Sequence, residues 1–563
     1  METLEDLDAF RRWLSERRPV LALDIETTGL SLAKDRTRLV QFGDAKQGWA
    51  LPYADWRGAV KQVVETYEGK FVLQHAKFDA GFLMKDGIRF PWSRTHDTMF
   101  MAFLNNSMGP KSLKQAAAVY VDAAATAGEA SLRRAMIKNR WTYETVPITH
   151  PAYWGYAALD TVLTARLAEV LWPLVQPFRE AYDLEVACER VLCEMELRGV
   201  RIDVEYCNEQ FARLQERLIE IEKKLDGTNP FSTSQVIGAL QRAGATWSKR
   251  TESGQLSVDD EVLSALAAEG YEIAQLVRDS RWANKMLGTY FENFLSYHND
   301  GILNPHINQV AARTGRMSIT EPALQTVPKT SLVRDAFVAA PGHRLLLCDY
   351  DNEELRVAAH FTGDENMLIA FRDDRSLHDE LAEKLFGSDY TKAQRKTAKA
   401  CMFAKAYGAG ITKFAWSSGL PLDEATRVFR GIDELYPGLG RTMMLVSRQV
   451  QERAAANPFG WVKLIDGRHL MVKADKAYVG FNALIQGSCA VVLKQTLVDL
   501  DLAGFGEMLR LPIHDEVMFE IPTEDVVPDI QKIMTRTEFR VPLTVGTKVV
   551  RRWGDAYSKD GGG

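Results

Sequence analysis

LLLCDYDNEELRVAAH, Leu345 to His360, joins two kinds of element. Its opening residues, Leu345 to Cys348, form a short apolar run ending on an acid, the pattern of a buried strand that delivers Asp349 to the edge of a sheet. The second half opens a helix, with Asn352 as its cap and Glu353 and Glu354 in the first turn. A carboxylate at the end of a strand, facing open space, suits a divalent cation, because Mg²⁺ takes a few carboxylates and keeps waters or phosphates as its other ligands. Alone, the segment is more simply a helix capped by acids; two further segments change that reading.

TKAQRKTAKACMFAKAYG, Thr391 to Gly408, spaces Arg395, Lys399, Phe403 and Tyr407 four residues apart, so that a helix lines them up in one slowly drifting stripe. Two cations followed by two aromatics make a surface that holds a triphosphate at one end and stacks a base at the other. A merely solvated basic face would not place the aromatics on the same stripe. In LRLPIHDEVMFEI, Leu509 to Ile521, two β-prone runs flank His514, Asp515 and Glu516, a hairpin with Asp515 at its tip. Asp349 and Asp515 are then placed to share two metal ions, which at about 3.5–4 Å apart form a clamp for in-line phosphoryl displacement.

In this order, DYDNEELR, RKTAKACMFAKAYG and IHDE resemble motifs A, B and C of the family A DNA polymerases, the family of bacterial DNA polymerase I. MELRGVRID at 195–203, NPFSTSQV at 229–236, RTGRMSITEPALQTVP at 313–328 and NALIQGS at 482–488 fit the same template. The resemblance covers the chain from about Tyr182 onward. It implies a right-hand polymerase in which Asp349, Asp515 and the Tyr350 carbonyl bind two Mg²⁺ ions, with Mn²⁺ able to substitute. His378, Arg395 and Lys399 would hold the triphosphate, and Lys399 could also protonate the leaving pyrophosphate. Phe403 and Tyr407 would bracket the sugar and the nascent pair. Glu354 matches the steric gate against ribose, and Phe403 rather than tyrosine implies poor acceptance of dideoxynucleotides. Arg316, Gln325, Asn482, Gln486 and His514 match residues at the primer terminus or in the minor groove, whose acceptors permit geometry checking without reading sequence. Met402 and Ala404 stand where the family usually has Asn and Gly, and Tyr478 where it often has Arg.

Toward the N-terminus, VLALDIETTGL from Val20 to Leu30 reads as a strand with Asp24 and Glu26 on one face. RLVQFGD, GWALPY and FVLQ supply further strands; HAKFDAGFL carries Asp79 on a helix, and a long helix from Tyr153 puts Tyr156 one turn before Asp160. Four acids without matched bases are costly unless metals neutralise them, so a second two-metal site is expected. LDIETTGL, KFD and YxxxD resemble the Exo I, II and III motifs of proofreading exonucleases with an RNase H-like fold. That resemblance gives the acids two metals and has Tyr156 orient the attacking water. Asp97 matches a structural acid of that fold. One departure is His75, where asparagine is usual.

A chain of 563 residues is expected to form about two to four compact units. Its net charge of −6 argues against coating nucleic acid by bulk electrostatics, so binding must come from a local basic groove. The cysteines show no CxxC pair or zinc spacing and read as small core residues of a reducing compartment. No signal core and no run of about 18 apolar residues is expected, which places the chain in the cytoplasm, the host's if it comes from a phage, with no membrane contact.

The fold class is therefore α/β, a multidomain α+β arrangement. An exonuclease domain spans 1–178 and a polymerase domain 179–563, with thumb about 182–305, palm about 306–361 and 456–563, and fingers about 362–455. Prolines near Trp172 to Arg179 mark the boundary. Without a 5′ nuclease domain, the outline looks like a phage-type replicative enzyme. Its expected partners are primer-template DNA and dNTPs, with a processivity factor, helicase or single-strand-binding protein unidentified, and the chain is expected to be a monomer. Two rival readings are an exonuclease whose C-terminal half only binds DNA, against which Asp349, Asp515 and Lys399 speak because a binding module needs no buried carboxylates, and a replication protein without catalysis, which leaves two separate acid clusters unexplained.

Overall fold

The computed structural model describes residues 1–557 apart from Arg17, Pro19, Glu252, Gly419 and Ala456; the expectation that the KDGGG tail is disordered falls outside the described residues. After helix α1 (Leu4–Ser15) come strands β1 (Val20–Thr27), β2 (Thr37–Gly43), β3 (Gly48–Pro52), β4 (Lys70–Leu73) and β5 (Thr95–Asp97). They form one sheet in the order β3-β2-β1-β4-β5. β1 runs parallel to β4 and antiparallel to β2, and it lies at the centre of the sheet. Leu21, Leu23 and Ile25 pack one face against Phe10 and Trp13 of α1 and against Ala80 and Leu83 of α2 (Ala76–Lys85). Ala22 packs the other face with Val72, Ala165 and Ala168.

Helix α3 (Leu113–Tyr120) precedes α4 (Pro151–Val175), which lies across the sheet. The prolines expected to break the chain near 172–179 interrupt it less than the pattern suggests. α4 runs through Pro173, because a proline in a last turn forfeits only one helix bond, and a 3₁₀ turn (Gln176–Phe178) leads straight into α5 (Arg179–Arg198). α5 stops at Gly199, whose φ of +65° suits glycine. α6 (Val204–Leu225) follows.

The second sheet is built from β6 (Arg344–Tyr350), β9 (Leu509–Ile513), β10 (Glu516–Ile521) and β11 (Val545–Val550) in the antiparallel order β9-β10-β6-β11. β6 is an interior strand paired on both sides, so Asp349 sits near the strand's end rather than at a lateral edge of the sheet. Asn352 occupies the cap position of α7 (Glu353–Thr362), but its φ of +51° turns it left-handed and its side chain makes no capping bond. A separate hairpin pairs β7 (Phe459–Lys463) with β8 (His469–Lys473); Asp466 and Gly467 lie inside a loop longer than the two-residue turn their types suggest.

α8 (Leu377–Phe386) and α9 (Lys392–Ala406) lie between these sheet segments. α10 (Gly480–Leu500) begins after a 3₁₀ stretch, Ala474–Val479. The expectation that no run is long and apolar enough to cross a membrane is corrected here. Ala474–Met508 passes by length and composition, yet 83% of its most apolar window is buried within the protein, as befits a core helix apolar on every side.

α5 ties the halves together. Its Glu185 accepts hydrogen bonds from Lys494 of α10 at 2.7 and 2.9 Å and is ion-paired with Arg468, while Glu196 is ion-paired with Lys77 of α2. Burial alone would raise the Glu185 carboxyl, but Lys494 and Arg468 hold it below the usual carboxylate range.

Candidate active sites

Two acid centres stand on the two sheets. In the first, α4 can lie close on β2 and β3 because Gly43 and Gly48 leave room for Thr161 and the Ala158 backbone; a Cβ at either would collide with them. This approach brings Asp160 to β1, where Asp24, Glu26 and Asp160 each place a carboxylate oxygen within 4.8 Å of the others. Asp79 joins from α2 by accepting the Ile25 N–H at 2.9 Å.

Burial pushes the Asp24 carboxyl up to about 7, with Lys114 opposing. Burial and then the charge of Asp24 raise Glu26 and Asp79 well above the usual range. Carboxyls crowded until they resist ionising are a donor set that fits divalent cations. Tyr156 lies half-buried one turn before Asp160, and burial, then Glu26, pushes its hydroxyl up.

The expectation that these acids lack a matched base is corrected: Lys114 of α3 is ion-paired with Asp160. Asp97 accepts the Ala76 N–H at 2.7 Å and the Met99 N–H at 2.6 Å, so it caps α2's entry and the next helix. His75, at φ +66°, precedes α2 without a side-chain capping bond, and burial, then Lys77, pushes its imidazole down to about 3, leaving it neutral.

In the second centre, Asp349 lies opposite Glu516 in the β6–β10 register, and Asp515 sits in the His514–Asp515 turn between β9 and β10. The Tyr350 N–H donates to the Asp515 carbonyl at 3.2 Å, locking turn to strand. The Tyr350 hydroxyl turns into the core toward Thr496 (2.7 Å) and Met534 (2.9 Å). Asp349 is exposed, yet the surrounding protein, then Asp515 and Glu516, pushes its carboxyl up to about 7.

α9 carries the stripe. Phe403 and Tyr407 have ring centroids 5.9 Å apart, and His378 of α8 lies 5.7 Å from Phe403. Neither ring nitrogen of buried His378 has a partner among the described residues, and burial, then Lys399 and Arg395, pushes the ring down to about 4. Lys399 is exposed. Arg395 grips Asp379 at 2.5 and 3.1 Å, which with Tyr390 holds the Asp379 carboxyl well below its usual range.

Glu354 is clamped by the Tyr407 hydroxyl at 2.5 Å and by an ion pair with Arg316. His514 stands 3.2 Å from the Gln325 carbonyl, and the Gln325 amide donates to the Met317 carbonyl at 3.0 Å. With Arg316, Glu353 and Cys489, these residues line a small cavity. Asn482 and Gln486 share one turn of α10, and the Asn482 oxygen is buried without a partner among the described residues. Of the departures, Met402 is buried, Ala404 packs against the core, and Tyr478 is 54% exposed.

The structure thus groups the sequence-derived residues into two constellations and adds Lys114, Glu353, Asp379 and Glu516. Glu516 was legible as a neighbour of Asp515, but Lys114 carried no signal, since a lysine in an Ala-rich helix reads as a solvated one.

Two family models match: "DNA polymerase family A" over residues 204–555 and "3′-5′ exonuclease" over residues 1–176. The chain is 32% identical to a DNA polymerase of Mycobacterium phage D29 and 31% identical to one of Mycobacterium phage L5, in each case over 100% of this chain and 97% of the other. It is 27% identical to DNA polymerase I of Pseudomonas aeruginosa, over 98% of this chain and 65% of that one. Its fold matches the polymerase domain of Pol1 from M. smegmatis, solved with DNA primer-template and dNTP, at a TM-score of 0.80 and 21% identity, covering 98% and 99% of the two chains. With both family models and full-length relatives agreeing, the chain belongs to DNA polymerase family A and carries a 3′–5′ exonuclease domain ahead of its polymerase domain.

Proposed function

We propose that the Asp349–Asp515 centre extends a primer 3′ end with dNTPs on a DNA template, and that the Asp24–Glu26–Asp79–Asp160 centre removes mispaired ends. The observation that supports this most is the tie of each acid centre to its own accessory groups: Tyr407 of the cation–aromatic stripe donates to Glu354, on the helix that follows Asp349, and Tyr156 stands one turn from Asp160 with its ring against the Lys114 ammonium. Asp349, Asp515 and the Tyr350 carbonyl are the groups to hold two Mg²⁺ at the polymerase centre, and the four acids do so at the exonuclease centre; Mn²⁺ can substitute. Bound there, the metals lower the pKa of the attacking oxygen and stabilise the leaving one.

The chain's own residues do the rest. Arg395, Lys399 and His378 receive the triphosphate, Arg395 exchanging Asp379 for phosphate, and Lys399 donates a proton to the departing pyrophosphate. Phe403 and Tyr407 flank the sugar and the new base pair. Glu354, fixed by Tyr407 and Arg316, crowds a ribose 2′-hydroxyl. Arg316, Gln325, Asn482, Gln486 and His514 contact the primer terminus and minor groove. At the other centre Tyr156 orients the attacking water.

The exonuclease unit is assigned to 1–178 and the polymerase to 179–563, with thumb, palm and fingers at the boundaries given above. On this reading the chain acts as a monomer on primer-template DNA, with a replicative role in a host cytoplasm; the likeness to two phage DNA polymerases supports a phage-type enzyme. A 5′-labelled primer on a longer template with Mg²⁺ tests this. Extension is expected with all four dNTPs and shortening without them; shortening with no extension would leave the chain as an exonuclease whose C-terminal half only binds DNA.

A further inference from the structure

Lys114 has no part in the roles assigned above, yet it stands inside the exonuclease centre. It is the second residue of α3, which packs against α4, and its side chain is 9% exposed. Its ammonium pairs with Asp160 and lies 4.6 Å from the centre of the Tyr156 ring. Asp24 and Glu26 also act on its charge, while burial opposes it. Burying an ammonium is costly, and Asp160, itself buried, is its ion-pair partner there.

Arg38, another cation near these acids among the described residues, also acts on Glu26, but its guanidinium donates to the carbonyls of Tyr143 and Val146 and serves the loop that they belong to. Lys114 instead points its charge at the place where Asp160 and Tyr156 converge. A DNA 3′ end lying against Tyr156 there would bring its terminal phosphodiester, an anion, within reach of the ammonium.

We propose that Lys114 is a catalytic residue of the exonuclease, its ammonium contacting a non-bridging oxygen of the terminal phosphodiester. This rests on the exonuclease centre assigned above. Once Asp160 is engaged in holding cations, the ammonium is released to the phosphate. The water oxygen bonds to phosphorus, the bond to the upstream 3′ oxygen breaks, and that oxygen takes up the proton the water loses. Lys114 keeps its own proton and stabilises the charge that builds on the phosphate.

The test uses the full chain as wild type, Lys114→Met and Lys114→Arg, with a 5′-labelled oligothymidylate. At saturating Mg²⁺, Lys114→Met should excise about a hundredfold more slowly. With Ca²⁺ in place of Mg²⁺, to occupy the acids while excision is slow, fluorescence anisotropy should show it binding the oligonucleotide about threefold more weakly, as loss of one phosphate contact implies. Lys114→Arg should recover most of both, and primer extension by the same preparations reports that the variants are folded. If Lys114→Met instead excises at the wild-type rate at saturating Mg²⁺, the lysine only balances the acids and the proposal falls. It falls too if both variants lose excision while binding the oligonucleotide normally, since packing is then the lysine's role. A wild type that excises nothing overturns the exonuclease centre itself, a result distinct from either of these.

Discussion

Phe403 and Tyr407 share one face of α9, but only Tyr407 has a hydroxyl, and Glu354 takes it at 2.5 Å. A hydroxyl at position 403 would supply a contact that a missing sugar 3′-hydroxyl otherwise removes. Phe403→Tyr is therefore expected to raise dideoxynucleotide incorporation by about tenfold or more, the equivalent of one hydrogen bond of about 1.4 kcal/mol; equal chain-termination ratios would sink this. Glu354→Ala should lower discrimination against ribonucleotides by on the order of tenfold, read from competing rNTP and dNTP incorporation. If the ratio does not move, the steric role belongs to another side chain. Single acids were legible because each sat in a period-breaking context, such as Asp349 after four apolar residues. Lys114 was not, because its partner Asp160 is 46 positions away along the chain and only packing of α3 on α4 joins them.

At the scale of elements, alternation and turn residues made β1, β6 and the β9–β10 hairpin readable, and Gly199 marked the end of α5. Register was not readable: nothing in LLLCDY says that β6 is flanked by β10 and β11, which moves Asp349 from a lateral edge to a strand end. The strut α5 gives a direct test of packing. Lys494→Met leaves Glu185 with the Arg468 guanidinium and the Gln309 amide but one cation fewer, in a site where Glu185 and Lys494 are each no more than 1% exposed. Breaking such a buried network is expected to cost about 3–5 kcal/mol in denaturant unfolding. A loss below about 1 kcal/mol would mean that Arg468 and Gln309 suffice.

For the molecule as a whole, the two acid centres make stability depend on pH and metal. Glu26 binds its proton more tightly in the folded chain than in the unfolded one, so without metal its contribution is lost as pH rises from the ordinary carboxylate range through its raised folded value. In EDTA, Glu26→Gln should therefore melt above wild type at about pH 8 and level with it at about pH 5, and Mg²⁺ should stabilise the wild type but not this variant by way of the first centre. A constant difference across pH would contradict the crowding of Glu26 and Asp24.

The two-unit organisation was legible from ordered motifs. How α5 welds the units through Glu185 and Glu196 was not, because those partners lie far along the chain. Separate centres on one welded body are the central claim, and separation of function measures it most directly. Wild type, Asp349→Ala and Asp24→Ala are run on a 5′-labelled primer-template with Mg²⁺, with and without dNTPs. Asp349→Ala is expected to lose extension and keep excision, and Asp24→Ala to do the reverse, each loss being several orders of magnitude. Loss of both activities from either substitution would contradict two independent centres.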